Sequence, residues 1–392
     1  MHTTNRFPAT DDDQRESTSN TNVCVVTFPI EKSGNMPVSD LVHILTRLAN
    51  HVDVVGGGEN LVSIGSSDKV RVFPIRHATG RNLISRIFNY IITQTKIFVA
   101  VIAETRSVDL FVFFLGGEAQ VLPMLAAKVL GKKVVLAPGG SSTDVLRQRR
   151  DPALMFVEMG ELFNLLMADR IVLYSERLAH SRAMSRFLPK VRYAHHHAID
   201  FSRFQVTTPL TRRENVIGFV GRMAEEKGIL NFAKTIPRVV GRDSSVKFAI
   251  YGDGPLLPVV RKYLEELNLG SKVSINGWIA HEQVPQALNQ LKLLVVPSYT
   301  EGLPGIVLEA MACGTPVLAA AVGGIPDIIE SGVTGILVGT NHPSVLAESI
   351  LETMHQPGLL DQISLIARRT VDIFEPDAAA ESWRLALEGL AH

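Results

Sequence analysis

The sequence predicts an α/β protein built from two doubly wound parallel sheets. Three observations lead there. Short β-rich runs alternate with helix-period patterns along most of the chain. The alternation pauses at a polar stretch rich in Thr, Pro and Arg, residues 205–214, and then restarts. A chain of 392 residues also suits two domains better than one.

The elements follow in order. Residues 1–22 are polar and aperiodic and read as a disordered tail, with no apolar core that would make them a secretory signal. "VCVVTFP" is a buried strand, followed by the loop "IEKSGNMP". In "SDLVHILTRLAN", Leu41, Ile44, Leu45 and Leu48 share one helix face. "DLFVFFL" is a strand, "AQVLPMLAAKVLG" a helix and "KKVVLAP" a strand, with "RIVLYS" and "VRYAHH" after them. In the second half, "VIGFVG", "VKFAIYG", "KVSINGW" and "LKLLVVPS" are strands. They alternate with the helices "ILNFAKTIPRVV", "LLPVVRKYLEELN" and "VPQALNQ". Ligands of such sheets bind outside the carboxyl ends of the strands, so two facing halves imply a cleft between them.

Bulk properties narrow the function. Lys plus Arg and Asp plus Glu both number 39, so no global charge draws the chain to nucleic acid. Cys24 and Cys313 sit in apolar runs without metal-ligand spacing, which fits a reducing, cytoplasmic setting. The segment "LISRIFNYIITQTKIFVAVIA", 83–103, has "IFVAVIA" as its longest uninterrupted apolar run. That is short of the ~20 residues a membrane span requires, so no transmembrane helix is expected. Asn82, Arg86, Asn89, Thr93 and Lys96 recur at four-three spacing and form one polar stripe. A core helix is the favoured reading and a membrane-surface helix the other.

The motifs that carry chemistry lie in the second half. In "GFVGRMAEEKG" a strand ends at Gly221, and Arg222 and Lys227 follow where cations can clamp phosphate oxygens. Glycines at such turns let a backbone approach a ligand closely. "YGDGP" adds Gly252 and Gly254, and "INGW" ends on Trp278. In "YTEGLPGIVLEAMACGTPV", Pro304 suits a helix start and Gly314 its end. A helix N-terminus aimed at the strand ends holds an anion. Glu301 precedes that helix and Glu309 lies on its second turn. Carboxylates accept hydrogen bonds from vicinal hydroxyls, so phosphate plus two acids would suit a nucleotide sugar. A capping acid and an exposed helix glutamate are the alternative.

In order and spacing, "VGRMAEEKG", "YGDGP", "INGW" and the run from "PSYTEGLPGIVLEAMACGTPV" to "ESGVTGILV" resemble the retaining glycosyltransferases of family 4, glycosyl transferase group 1. The likeness runs from 215 to about 355. The first half shares only the strand order and a glycine loop around Gly34. The resemblance implies a GT-B fold, with an acceptor-side domain at 23–204 completed by a terminal helix at 375–392. A linker at 205–214 and a donor-binding domain at 215–374 complete it. Trp383 and Leu387 anchor the terminal helix. It also implies transfer of a hexose from a UDP- or GDP-sugar with retention at the anomeric carbon. Arg222 and Lys227 would bind the diphosphate, Glu309 the ribose and Glu301 the donor sugar. Gly302, Leu303, Pro304, Gly305, Ile306 and Val307 would hold sugar and phosphate, with Trp278 by the base.

No Asp-x-Asp follows the "DDD" at 11–13, so a metal-independent site without further cofactor is expected. Two cations and a helix start can stabilise a leaving diphosphate alone. The sequence departs from the family in two places. "PGGSSTD" puts Gly139, Gly140 and Ser141 where many relatives carry an acceptor-side histidine. "HHHAIDFSRF" replaces the usual interdomain Asn-Gly; strand alternation would separate His195 to His197, which argues against a metal there. The acceptor, lipid-linked or glycan, is not legible. Basic residues at 147–150, then Arg182, Arg186 and Lys190 at four-residue steps on one expected helix, suit an anionic membrane; a solvated face is slightly favoured. A sugar-nucleotide-binding partner subunit without activity and a nucleotide-sugar epimerase are the competing functions.

Overall fold

A computed structural model describes residues 21–390, except 30–34, 58–67, 79, 81, 105–106, 117–118, 140–142, 144–145, 148–150 and 180–183. Gly34, Gly140, Ser141, Arg182 and most of the expected tail lie outside the described residues.

Among the described residues the strands are β1 (Asn22–Thr27), β2 (His51–Gly56), β3 (Val70–Pro74), β4 (Leu110–Phe114), β5 (Lys133–Ala137), β6 (Arg170–Leu173) and β7 (Val191–Tyr193) in the first sheet. Their spatial order is β3-β2-β1-β4-β5-β6-β7. The second sheet holds β8 (Val216–Val220), β9 (Lys247–Tyr251), β10 (Val273–Gly277), β11 (Leu293–Val296), β12 (Val317–Ala320) and β13 (Ile336–Val338), ordered β10-β9-β8-β11-β12-β13. The recorded pairings are parallel. Both sheets are Rossmann-like: the order reverses once, between β1 and β4 in one and between β8 and β11 in the other.

The chain divides into two compact units. One is Met1–Ala137 with Met159–Val172 and Ala380–His392; the other is Pro138–Glu158 with Leu173–Ala379.

In the first unit, β1 and β4 are buried almost throughout, as continuous apolar runs require in a sheet covered on both faces. Helix α1 (Asn35–Leu45) buries Leu41, Ile44 and Leu45 on one face. β1 starts at Asn22, inside the stretch expected as tail. β2 and β3 escaped the sequence reading because their alternation is broken by charge. Asp53 and Arg71 are register partners across the two strands, and Arg71 Nη2 meets Asp53 Oδ2 at 2.8 Å. The Asp53 side chain is 2% exposed, and His51 Nε2 lies 2.9 Å from it.

Helix α2 (Leu83–Glu104) forms over the expected segment, but the favoured core reading is overturned. Ile84, Phe88, Ile91, Ile92, Val99 and Ile102 are exposed, Ile84 at 80%. Thr93 and Gln94, by contrast, are buried. The polar positions that look like a solvated stripe are partly turned inward because they have partners there. Thr93 Oγ1 is 2.8 Å from His77 Nδ1, and Gln94 Oε1 accepts from the Leu122 amide. By length and composition α2 can also cross a membrane, its window being 22% buried.

The same unit carries α3 (Val121–Val129), and α4 (Leu154–Met167) lies largely in it. The terminal helix, named α13 below, buries Trp383 completely, and Arg170 Nη1 donates to the Ala386 and Glu388 carbonyls.

In the second unit, α5 (Glu176–Ala179) is short, and Ser185–Lys190 is a 3-10 helix with Pro189 inside it. Arg186 and Lys190 thus lie on a 3-10 turn and not on the expected α-helix, which Pro189, lacking an N–H, does not continue; Arg182 lies outside the described residues. Helix α6 (Ile229–Val240) buries Ile229, Phe232, Ala233, Ile236 and Val239 at helical spacing. Phe232 packs between Phe219 and Phe248, with ring centroids 5.8 and 5.9 Å away. Then come α7 (Leu257–Glu266), α8 (Val284–Gln290), α9 (Gly305–Ala312), α10 (Ile325–Ile328), α11 (Pro343–His355) and α12 (Leu359–Thr370), and the terminal helix α13 (Pro376–Leu387) starts here and belongs to the first unit from Ala380 on.

The stretch 205–214 is tied down by Arg213, which is 6% exposed. Its guanidinium donates to the carbonyls of Thr208, Leu288, Leu291 and Cys313, and to the side chains of Asn289 and Thr315. Burial lowers its pKa to about 10.

Candidate functional site

The second sheet reverses its strand order between β8 and β11, which is where a doubly wound sheet opens a crevice at its carboxyl end. The segments leaving these two strands supply the candidate residues. After β8, a 3-10 turn at Glu225–Lys227 ends at Gly228 and sends Lys227 toward the loop that follows β11. Lys227 Nζ lies 2.8 Å from both Oε1 and Oε2 of Glu301. Ser298 Oγ donates to Glu301 Oε1 at 2.6 Å. The Glu301 side chain is 7% exposed, so this carboxylate is desolvated and held by one cation and one hydroxyl.

Arg222 pairs with Glu226 one turn on, and the Glu226 carbonyl accepts from the Tyr299 amide. The two loops are thus laced together at both backbone and side-chain level.

Helix α9 starts just beyond Glu301. Pro304 is its extended cap residue rather than its first turn, and Gly314 closes it with φ +63°. Gly305 and Ile306 begin the helix, where amides lack intrahelical acceptors. Leu303 and Val307 are buried and fix the helix start on the sheet. The Glu301–Gly302 loop rests on the turn before α10. The Gly324 amide donates to the Gly302 carbonyl at 2.8 Å, and a Cβ on Gly323 would stand 1.9 Å from the Glu301 carbonyl. Gly139 is brought here as well, its carbonyl 2.3 Å from where a Cβ on Gly302 would be.

Glu309 is placed differently from Glu301. Its Oε1 lies 2.9 Å from His281 Nε2, with the side chain 12% exposed. It is neither a helix cap nor an exposed helix glutamate. Gly252 and Gly254 meet backbone rather than open space, while a Cβ on Gly221 would be in ordinary contact with the Phe219 ring at 3.7 Å. At Gly252 (φ +137°) a Cβ would stand 1.9 Å from the Gly221 carbonyl, so close stacking of the strand-end turns requires the glycine. Trp278, at the end of β10, is 63% exposed.

Sequence reasoning missed Ser298, Glu226, His281 and Tyr174. A lone Ser, His or Tyr carries no spacing signal, and only Glu226, four residues after Arg222, stood at a spacing that could have flagged it. Tyr174 lies against the Glu301–Gly302 loop, and a Cβ on Gly324 would be 2.7 Å from its ring. Its hydroxyl oxygen is buried with no hydrogen-bond partner. Burial, with the charges of Asp327 and Glu301, pushes its pKa well up.

The three histidines lie beyond β7 in irregular chain, so strand alternation does not separate them. His195 packs on Phe374 with centroids 4.7 Å apart, and burial lowers its pKa to about 4. His197 lies near α9, its Nδ1 3.7 Å from where a Cβ on Gly305 would be. No group of three or more His, Cys, Asp or Glu poised for a metal occurs among the described residues.

The fold these sheets define is GT-B, the fold shared by two similar solved structures. Anabaena HepE in complex with UDP superposes with a TM-score of 0.73 at 16% identity, covering 94% of this chain and 99% of its own. Sucrose-phosphate synthase from Thermosynechococcus elongatus gives 0.75 at 20% identity, covering 95% and 99%.

Residues 214–356 match the family model of glycosyl transferases group 1. Among curated relatives, 2-deoxystreptamine N-acetyl-D-glucosaminyltransferase of Streptomyces fradiae is 34% identical over 181 residues, 44% of this chain and 42% of that protein. Alpha-D-kanosaminyltransferase of Streptomyces kanamyceticus is 31% identical over 149 residues, 38% and 39%. The chain thus matches about two fifths of the length of these relatives.

Proposed function

We propose that this chain is a retaining, metal-independent glycosyltransferase. It moves a hexose from a UDP- or GDP-sugar to a lipid-linked or glycan acceptor, in the cytoplasm or against the inner face of a membrane. The observation that carries the reading is the Lys227–Glu301–Ser298 cluster, placed at the β8/β11 crevice and at the start of α9, within the segment that matches the group 1 family. The same cluster supports 215–374 as the donor-binding domain.

When the glycosyl bond breaks, negative charge grows on the departing diphosphate. Arg222, Lys227 and the first amides of α9 are fixed dipoles and charges that stabilise it without reorganisation. Glu301, freed from Lys227 as the diphosphate takes that ammonium, accepts from hydroxyls of the donor sugar. Glu309, oriented by His281, accepts from the ribose. Among the solved relatives of this fold, HepE is described in complex with UDP-glucose, which favours a nucleotide-sugar donor here.

The test is proton NMR of the product formed from the best-binding donor in EDTA. A product with the anomeric configuration of the donor supports the reading. An inverted product, or turnover only with added magnesium, contradicts it.

A further inference from the structure

The apolar face of α2 is not accounted for by packing inside the protein. On a helix turning 100° per residue, Ile84, Phe88, Ile91, Ile92, Val99 and Ile102 fall within an arc of about 100°. All six are exposed. From Ile84 to Ile102 the strip runs for about 27 Å.

The other side of α2 is bound to the unit by specific contacts. Tyr90 Oη donates to the Ala119 carbonyl at 2.5 Å, Gln94 takes the Leu122 amide at 3.0 Å, and Ile97 and Val101 are fully buried. A helix so fastened lies along the protein surface; crossing a bilayer would require breaking these contacts.

The neighbouring helices extend the surface. α2 connects β3 to β4, and α3 connects β4 to β5, both advancing in the same direction across the sheet. Right-handed crossovers therefore place them on one face of the first sheet. Val129 on α3 is 76% exposed and Leu125 40%. Monomeric soluble proteins seldom leave so extended an apolar surface to water.

Charge selects the occupant. α2 contains Arg86 and Lys96, both exposed, and its single acid is its last residue, Glu104. Isoleucine, phenylalanine and valine on one face, with Lys96 on its flank, Arg86 on the opposite side of the helix and no acid before the last residue, match the boundary between acyl chains and anionic headgroups. A protein partner would need an acidic rim around an apolar groove; a bilayer needs nothing else.

We infer that the α2 face of the first unit docks in the plane of an anionic lipid membrane, with α2 parallel to the surface. This deepens the proposed transferase by making its acceptor one presented at a lipid surface, and it rests on that reading only for the acceptor. Membrane binding itself is independent of the donor site.

The experiment is co-sedimentation of the full chain with vesicles of phosphatidylcholine alone, or of phosphatidylcholine with phosphatidylglycerol. It is run on wild type, on Phe88→Ser/Ile91→Ser and on Lys96→Glu. Wild type sediments with the anionic vesicles. The double serine variant loses affinity on the order of tenfold per side chain removed, and Lys96→Glu binds more weakly, most visibly at low salt. Because these side chains are exposed, the variants keep the wild-type melting temperature and donor-induced thermal shift, which separates loss of docking from failure of the donor site. Wild type that ignores anionic vesicles at low salt overturns the inference. So does a wild-type dimer that the double serine variant converts to monomer, since a second copy then covers the face.

Discussion

Lys227→Met removes the ammonium beside Glu301 while keeping most of the side chain's volume. Both carboxylate oxygens are 2.8 Å from Nζ. At an effective dielectric constant near 20, a pair at that distance attracts by about 6 kcal/mol before desolvation. Desolvation of the 7%-exposed carboxylate opposes that, and the lysine, 32% exposed, is screened by water. A net loss of about 1–2 kcal/mol is expected without ligand, because Glu301 would be left buried with Ser298 as its donor. For a unit of this size that is a fall in Tm of about 2–8 °C. Glu301→Gln keeps an acceptor for Ser298 and needs no cation, so the double variant is hardly less stable than Lys227→Met alone. A double-mutant cycle by urea unfolding should give a coupling of about 1–2 kcal/mol. Strictly additive losses would refute the account of this pair and leave Lys227 as a surface cation.

Three further outcomes follow from the same structure. Arg213→Met strands several buried carbonyls and should cost about 3–5 kcal/mol, read as a drop in urea midpoint. His195 is held neutral with a pKa near 4, below the ordinary 6.5, so the unfolded chain binds the extra proton as pH falls. Its contribution is complete above about pH 6.5 and lost by about pH 4, at most about 3 kcal/mol. His195→Phe should flatten the decline in stability between pH 7 and 5. Gly252→Ala would drive a Cβ into the Gly221 carbonyl at positive φ, destabilising the fold by several kcal/mol and weakening donor binding with it.

Much of the second unit was legible because its signals are local. "ILNFAKTIPRVV" and "VPQALNQ" have unmixed helix periodicity and fold as α6 and α8 over those residues. Glu301 and Lys227 were singled out by strand-end position and by the resemblance, and the α9 start by Pro304 and Gly314, Pro304 proving to be its cap. What position could not supply was the pairing: Lys227 neutralises Glu301 and His281 holds Glu309, across 74 and 28 residues of chain. In the first unit, Asp53 and Arg71 hid two strands because Asp53 is buried only through its pairing with the exposed Arg71 on the neighbouring strand. The orientation of α2 was misjudged for the opposite reason. Its polar residues have partners inside, so the apolar face is free to turn outward.

The most direct test is a thermal-shift titration of wild type, Glu301→Ala, Glu309→Ala and Lys227→Met with UDP-, GDP- and ADP-sugars in EDTA, coupled to turnover. The account predicts that UDP- or GDP-sugars stabilise wild type without metal, that Glu309→Ala and Lys227→Met weaken that stabilisation, and that Glu301→Ala mainly lowers turnover. Wild type unmoved by every donor, or all three variants indistinguishable from it in binding and rate, would contradict the account.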